Sequence, residues 1–400
     1  MIPASSFDPA AATAAYLAQL PPEAHARAQA YTQGGYWLLL FGALAAVAAA
    51  WLVLRSGLLV RLRSRINRPW LAVLAVIAVD LVAEGLLLTP WDVYEDWARE
   101  RSYGLSDQPL TGWLTEHAIG LAVSMVITLL LASGLYALAR RAPRTWWVWS
   151  GGLTAVFVVL LMVAAPVFIQ PLFNTYRPAP PGPVREAVAR LARENGAPAD
   201  KIVIYDGSRQ SNRYTANVSG LFGTARIAMS DVMFAKGADL GEVRAVVGHE
   251  MGHYVQHHVL WMAGGYGLLA IFALWLVDRL FPLVLRLTGA RGVEGLADPA
   301  GFPAVGIIVT LMALAATPLT NSMTRIGEAA ADRFSLERAR EPDGLARALM
   351  KTVEYRYATP GNLEEAIFYS HPSVGSRIRR AMDWKAAHPP GSQGRLPPGK

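Results

Sequence analysis

Six long apolar stretches divide the chain, at roughly residues 35–54, 69–89, 117–139, 146–169, 259–277 and 302–320. Each is close to the roughly 20 residues that a helix needs to cross a bilayer. Trp70, Trp91, Trp146 and Trp147 lie at the ends of these stretches, as interfacial anchors do. One large buried bundle would not account for six such stretches. Between the fourth and fifth the pattern changes. Pro178, Pro180, Pro181 and Pro183 mark a stiff linker. Residues 184–195 read as an amphipathic helix, Ile202-Val203-Ile204-Tyr205 as a short strand and 225–229 as a second. Leu240, Val243, Val246 and Val247 then recur at helical spacing, and Gly237 and Asp239 suit the start of that helix.

The pattern predicts a predominantly α, multi-span membrane protein with about six spans and a small α+β soluble part. The expected segments are a non-spanning 1–34, four spans within 35–170, a soluble 171–257, two spans within 258–320, a second soluble piece 321–385, and a disordered tail 386–400. No basic segment followed by an apolar core opens the chain, so no cleavable signal is expected. Composition agrees with a membrane protein: 53% of residues are hydrophobic and only 17% charged, below the usual quarter. The net charge of +7 sits in short arginine-rich loops without groove-reading residues, so nucleic acid is not an expected partner. With no cysteine, disulfides and thiolate metal sites are excluded.

The chemistry lies at His249-Glu250-Met251-Gly252-His253. Two histidines four residues apart share one helix face and can reach one metal ion, with the intervening glutamate beside its water. The third ligand is expected at Glu328, within Thr324-Arg325-Ile326-Gly327-Glu328-Ala329-Ala330-Ala331-Asp332, a run whose alanines favour helix. Asp332 lies one turn on, placed to accept the second N–H of a ligating histidine. His257 and His258 read as interfacial polar residues. Asp80 and Glu84 fall inside an apolar stretch, where carboxylates are expensive unless they face water or a partner.

HEMGH followed by Arg325-x-x-Glu328-x-x-Ala331-Asp332 resembles the integral-membrane gluzincins, best known as the type I CAAX prenyl proteases. Pro90-Trp91-Asp92-Val93-Tyr94 with Tyr103-Gly104-Leu105-Ser106 is similar to that family's loop between two early spans. Gly207-Ser208-Arg209 leading to Val218-Ser219-Gly220-Leu221-Phe222, then Arg226-Ile227, is similar to its edge-strand segment, and His371-Pro372 with Arg377 to its His-Pro element. The resemblance runs from about residue 20 to about residue 385 and implies a bacterial-type homologue.

It implies one Zn2+ held by His249, His253 and Glu328, with Asp332 behind them, Glu250 as general base and His371 on the oxyanion. Arg377 would face the substrate, as would an edge-strand asparagine, for which this chain offers Thr215 and Asn217. It also implies an intramembrane chamber, which Asp80 and Glu84 would line, and seven spans, of which the first is missing here. Substrates would be peptides or proteins at the bilayer, possibly lipidated, cut near the C-terminus. A broader role in membrane-protein quality control and a zinc-stabilised scaffold or transporter remain open.

The expected location is a bacterial inner membrane. Arg55, Arg61, Arg63, Arg65 and Arg68 follow the first span and Arg140, Arg141 and Arg144 the third, whereas the 90–116 loop is acidic on balance. The positive-inside rule then puts the catalytic segment on the non-cytoplasmic face. The family resemblance implies the cytosolic face.

Overall fold

In a computed structural model, the structure describes residues 7–221, 223–234 and 239–389. Phe222, Gly237 and the tail beyond Pro389 lie outside the described residues. The chain divides into two compact units. One comprises Gly35–Phe173 and Leu260–Thr317, and the other the segments through Gly34, Asn174–Val259 and from Pro318 on.

Six helices are long and apolar enough to cross a membrane among the described residues: Pro22–Ser56, Pro69–Ser102, Leu110–Arg141, Trp146–Leu172, His258–Thr288 and Pro299–Arg338. They contain the six expected stretches and overrun most of them by a turn or more. The overrun matters at the last helix. Phe302–Arg338 continues without interruption past Pro318, so the apolar run and the Glu328-Asp332 run are one helix. Within the membrane unit, Val73 and Ile77 pack with Ala132 and Tyr136, while Leu54, Trp146, Val277, Phe281 and Ile308 form a second core.

The other unit is built on a four-stranded sheet in the order β1-β2-β4-β3, with β1 Tyr176–Pro178, β2 Ile202–Tyr205, β3 Ala216–Ser219 and β4 Arg226–Ser230. β2 and β4 run parallel; β1 and β3 flank them antiparallel, pairing Tyr176 with Tyr205 and Val218 with Ile227. The sequence pattern gave β2 and β4, and the edge-strand resemblance reached β3, but β1, three residues ending in Pro178, is too short to show alternation. The amphipathic helix Pro183–Glu194 turns Val188 and Leu191 onto β2 and β4, where Ile227 and Met229 are fully buried. Val243, Val247 and Met251 of the HExxH helix, Leu240–Val255, complete that core from the same face of their helix.

A second core in this unit contains an unexpected contributor. Ala12, Tyr16 and Leu17 of the helix Pro9–Leu17, with Ala28, pack on Leu345, Leu349, Ile378 and Met382. Tyr16 donates to Asp343 at 3.0 Å. Residues from Ala12 to Ala28 thus contribute to this core.

Candidate metal centre

The HExxH helix begins where Asp239 accepts a hydrogen bond from the Glu242 amide at 2.9 Å, an N-cap. Four residues of spacing then set His249 and His253 on one face, with Nε2 of each 3.2 Å apart. The helix Phe302–Arg338 crosses close to this face, because two glycines open the way. A Cβ on Gly252 would lie 3.0 Å from Ala331 Cα, and one on Gly248 would lie 3.1 Å from Ala339 Cβ. At that separation Ser335 donates to the carbonyl of Ala245 at 2.7 Å, and Glu328 reaches both histidines. Its Oε2 lies 3.1 Å from His249 Nε2 and its Oε1 3.4 Å from His253 Nε2.

One donor atom from each of His249, His253 and Glu328 lies within 4.8 Å of the other two. Glu328 Oε2 is buried and accepts no hydrogen bond despite the nearby imidazole. Two imidazole nitrogens and a carboxylate oxygen gathered this closely from two helices are what a shared cation would require. These residues therefore fit a metal, and they leave a fourth position for water.

The surroundings fix how each ligand presents itself. Asp332 Oδ1 lies 2.9 Å from His249 Nδ1, which leaves Nε2 for a metal. Asp332 in turn accepts two bonds from Arg377, from Nε at 2.8 Å and from Nη2 at 2.7 Å. Burial opposes protonation of His249, but the carboxylates of Asp332 and Glu328 outweigh it and lift the imidazole to about 9. A metal binding there displaces a proton. Burial raises the carboxyl of Glu250 as well.

His371 arrives from the far end of the chain. Arg325 donates to the carbonyls of Glu365 and Ala366 at 3.0 and 3.1 Å and also bonds the carbonyl of Tyr369, holding the segment that leads to it. Nε2 of His371 lies 3.3 Å from Glu328 Oε1, and Nδ1 3.0 Å from Ser370 Oγ. Burial, reinforced by the charge of Arg356, pushes this imidazole down to about 3, so it is neutral.

The three residues expected to face substrate are placed as follows. Arg377, expected to face substrate, is buried and directed at Asp332. Thr215 shares a 2.7 Å hydrogen bond with the Tyr205 hydroxyl. Asn217 lies on β3, the edge strand, with its Oδ1 buried and without a partner. One residue was missed. His258, read as an interfacial polar residue, is buried with its Nδ1 2.9 Å from His253 Nδ1 and its Nε2 2.9 Å from Gln256 Oε1. The chain turns back to place it by taking His257 through a left-handed conformation, φ 53°. Spacing did not reveal it, because the turn ends the helix between His253 and His258.

An HExxH helix and a distal glutamate beside six bilayer-length helices define a membrane-embedded metalloprotease. The chain belongs to peptidase family M48, whose model matches residues 178–385. Residues 9–175 match the CAAX prenyl protease N-terminal family, described as five membrane helices. Four of the candidate spans fall in that stretch among the described residues.

The chain is 29% identical to the uncharacterized metalloprotease YhfN of Bacillus subtilis over 70% of its own length and 66% of that protein. It is 25% identical to CAAX prenyl protease 1 of Saccharomyces cerevisiae, over 74% of this chain and 68% of the other. The crystal structure of S. mikatae Ste24p superposes with a TM-score of 0.74 at 21% identity, covering 91% of this chain and 90% of that one. The fold is therefore that of Ste24p, and the chain is an integral, multi-pass membrane protein acting on a peptide or protein substrate.

Proposed function

We propose that the protein is a zinc-dependent endopeptidase that cuts membrane-associated or lipidated proteins near their C-termini. The observation that carries this reading is the convergence of His249, His253 and Glu328 within 4.8 Å, with Glu250 beside them on the same helix. Neutral imidazoles and a carboxylate, with no thiolate in the chain, suit zinc in an open catalytic site. Bound there, the ion would supply Lewis acidity towards a water and a scissile carbonyl.

The chain's own residues do the rest. Glu250 takes the proton of the attacking water and passes it to the departing amine, a role suited to a carboxyl that burial already raises. With Nδ1 of His371 3.0 Å from Ser370 Oγ, the tautomer in which the hydroxyl donates leaves Nε2–H to donate to the oxyanion as charge develops. Asp332 holds the tautomer of His249, and Arg377 acts through Asp332. The edge strand β3 offers unpaired backbone groups on which a substrate strand can lie, with Asn217 on it and Thr215 just before. The CAAX prenyl protease relatives support lipidated C-termini as the substrate class.

Detergent-solubilised protein is expected to cut a quenched peptide, to stop with a zinc chelator and to recover with Zn2+. Full activity in the chelator would overturn the zinc assignment. We place the protein in a bacterial inner membrane with the arginine loops inside and the catalytic segments outside. Ser208 is exposed and the chain has no cysteine. A cysteine placed there is expected to react with an impermeant reagent in intact cells. Reaction only after lysis would put the catalytic segments in the cytosol.

A further inference from the structure

Arg356 follows the short helices Pro342–Met350 and Val353–Tyr355, and its segment is fixed beside the metal centre from two sides. The Tyr357 amide donates to Thr32 Oγ1 at 2.8 Å. The Tyr357 carbonyl accepts from the Tyr369 hydroxyl at 3.0 Å, two residues before His371. From there the charge of Arg356 reaches His371, and Arg356 in turn feels Glu328 and Arg377. The guanidinium is half-buried and pairs with no carboxylate within 4 Å among the described residues. Glu328, whose charge it feels, is turned to His249, His253 and His371 at 3.1 to 3.4 Å. Asp332 is held by Arg377 at 2.7 Å. The anions of the centre are thus taken, and one cation beside them is not.

A second guanidinium shares its support. Arg213 lies 4.7 Å and Arg356 5.5 Å from the centre of the Tyr355 ring, each within cation–π range. Arg213 also donates to the Tyr31 hydroxyl at 3.0 Å. Two like charges on one ring, partly withdrawn from water, are costly unless a ligand brings an anion. The position of Arg213 says where that anion would come from. It stands three residues before β3, Ala216–Ser219, which pairs antiparallel with β4 on one side. A substrate strand added antiparallel on the other side would pass Ala216 in its C-terminal direction and run on towards Arg213.

We propose that Arg356, with Arg213, binds the free carboxylate at the C-terminus of the substrate, so that the enzyme reads the chain end itself. This rests on the peptidase reading above and names the feature that the site selects. A guanidinium fork meets a carboxylate in two parallel hydrogen bonds, which fixes direction as well as charge. An anchored end sets the distance from the terminus to the bond that is cut.

Full-length Glu250→Gln protein in detergent is titrated with a fluorescent apolar hexapeptide that ends in a free acid or in an amide. Anisotropy reads the affinity, and hydrolysis of the same two peptides by the wild type is followed separately. The acid is expected to bind about tenfold more tightly than the amide, the effect of a hydrogen bond to a charged group. Arg356→Gln in the same background should remove that preference by weakening the acid, and Arg356→Lys should keep part of it. In hydrolysis the preference should appear in KM rather than in kcat, because the chain end is remote from the reacting bond. Equal binding of acid and amide would overturn the proposal, as would a preference that survives Arg356→Gln. An amide-ended peptide whose last residue is glutamate, bound as tightly as the acid, would make this a side-chain pocket instead. Selective binding of the acid without hydrolysis of either peptide would leave the carboxylate site standing and overturn the peptidase reading.

Discussion

Two helices in this protein each carry a pair of carboxylates four residues apart, and the two pairs have opposite surroundings. Glu328 and Asp332 are met by His249, His253, His371 and Arg377, at 2.7 to 3.4 Å. Asp80, 1% exposed, has no hydrogen-bond partner on either oxygen among the described residues, and Glu84 Oε1 has none. Tyr136, near enough to interact with the charge of Asp80, has a hydroxyl equally without a hydrogen-bond partner among the described residues. Spacing along a helix makes a face in both cases. Only where elements distant in sequence deliver complementary groups to that face does it become a site.

The comparison can be tested from its strongest consequence downwards. Glu250→Gln should lower turnover by about two to four decades, because an amide cannot take the proton. Metal analysis should find the same content as in the wild type. Near-normal hydrolysis would remove Glu250 from the chemistry.

Next come the aspartates themselves. Asp332→Asn leaves Arg377 buried without its anion, a cost of about 3–5 kcal/mol. It should also weaken metal binding about 10–100-fold through lost orientation of His249. Asp80→Leu removes a carboxyl that bonds nothing, and should leave stability unchanged or raise it by about 1 kcal/mol. Denaturation of both variants in one detergent reads the contrast directly. Similar losses in the two would mean that Asp80 has partners of its own.

A smaller effect is expected at His258. His253 is oriented by an imidazole, where His249 is oriented by a carboxylate. His258→Ala should therefore weaken metal binding by about tenfold, at the low end of such effects. Competition with a chromophoric chelator measures it, and a loss matching that of Asp332→Asn would make the two orienting contacts equivalent.

The last test changes no rate. Cysteines at Asp80 and Glu84, in a chain otherwise free of them, should stay unlabelled by an impermeant thiol reagent if this pair is dry. Labelling at either position would show water reaching it and would restore the hydrated chamber expected from the family.

Much of this protein is written in short-range periodicity. Runs of about 20 apolar residues specify the spans, because a helix must satisfy its own backbone inside a bilayer. The four-residue step from His249 to His253 and the N-cap at Asp239 specify the HExxH helix without reference to the rest of the chain. The tertiary structure decided what stands around that helix. Gly248 and Gly252 read locally as poor helix formers, and only the approach of Ala331 and Ala339 shows why those positions lack a Cβ. Arg377 reads as a cation free to meet substrate until its bidentate contact with Asp332, 45 residues away, is seen. His258 meets His253 because the chain reverses at His257, and the helix Pro9–Leu17 joins the second core because it covers Leu345 and Ile378. Local pattern governs what each element is. Which groups meet depends on contacts across tens to hundreds of residues, and no period in the sequence records those.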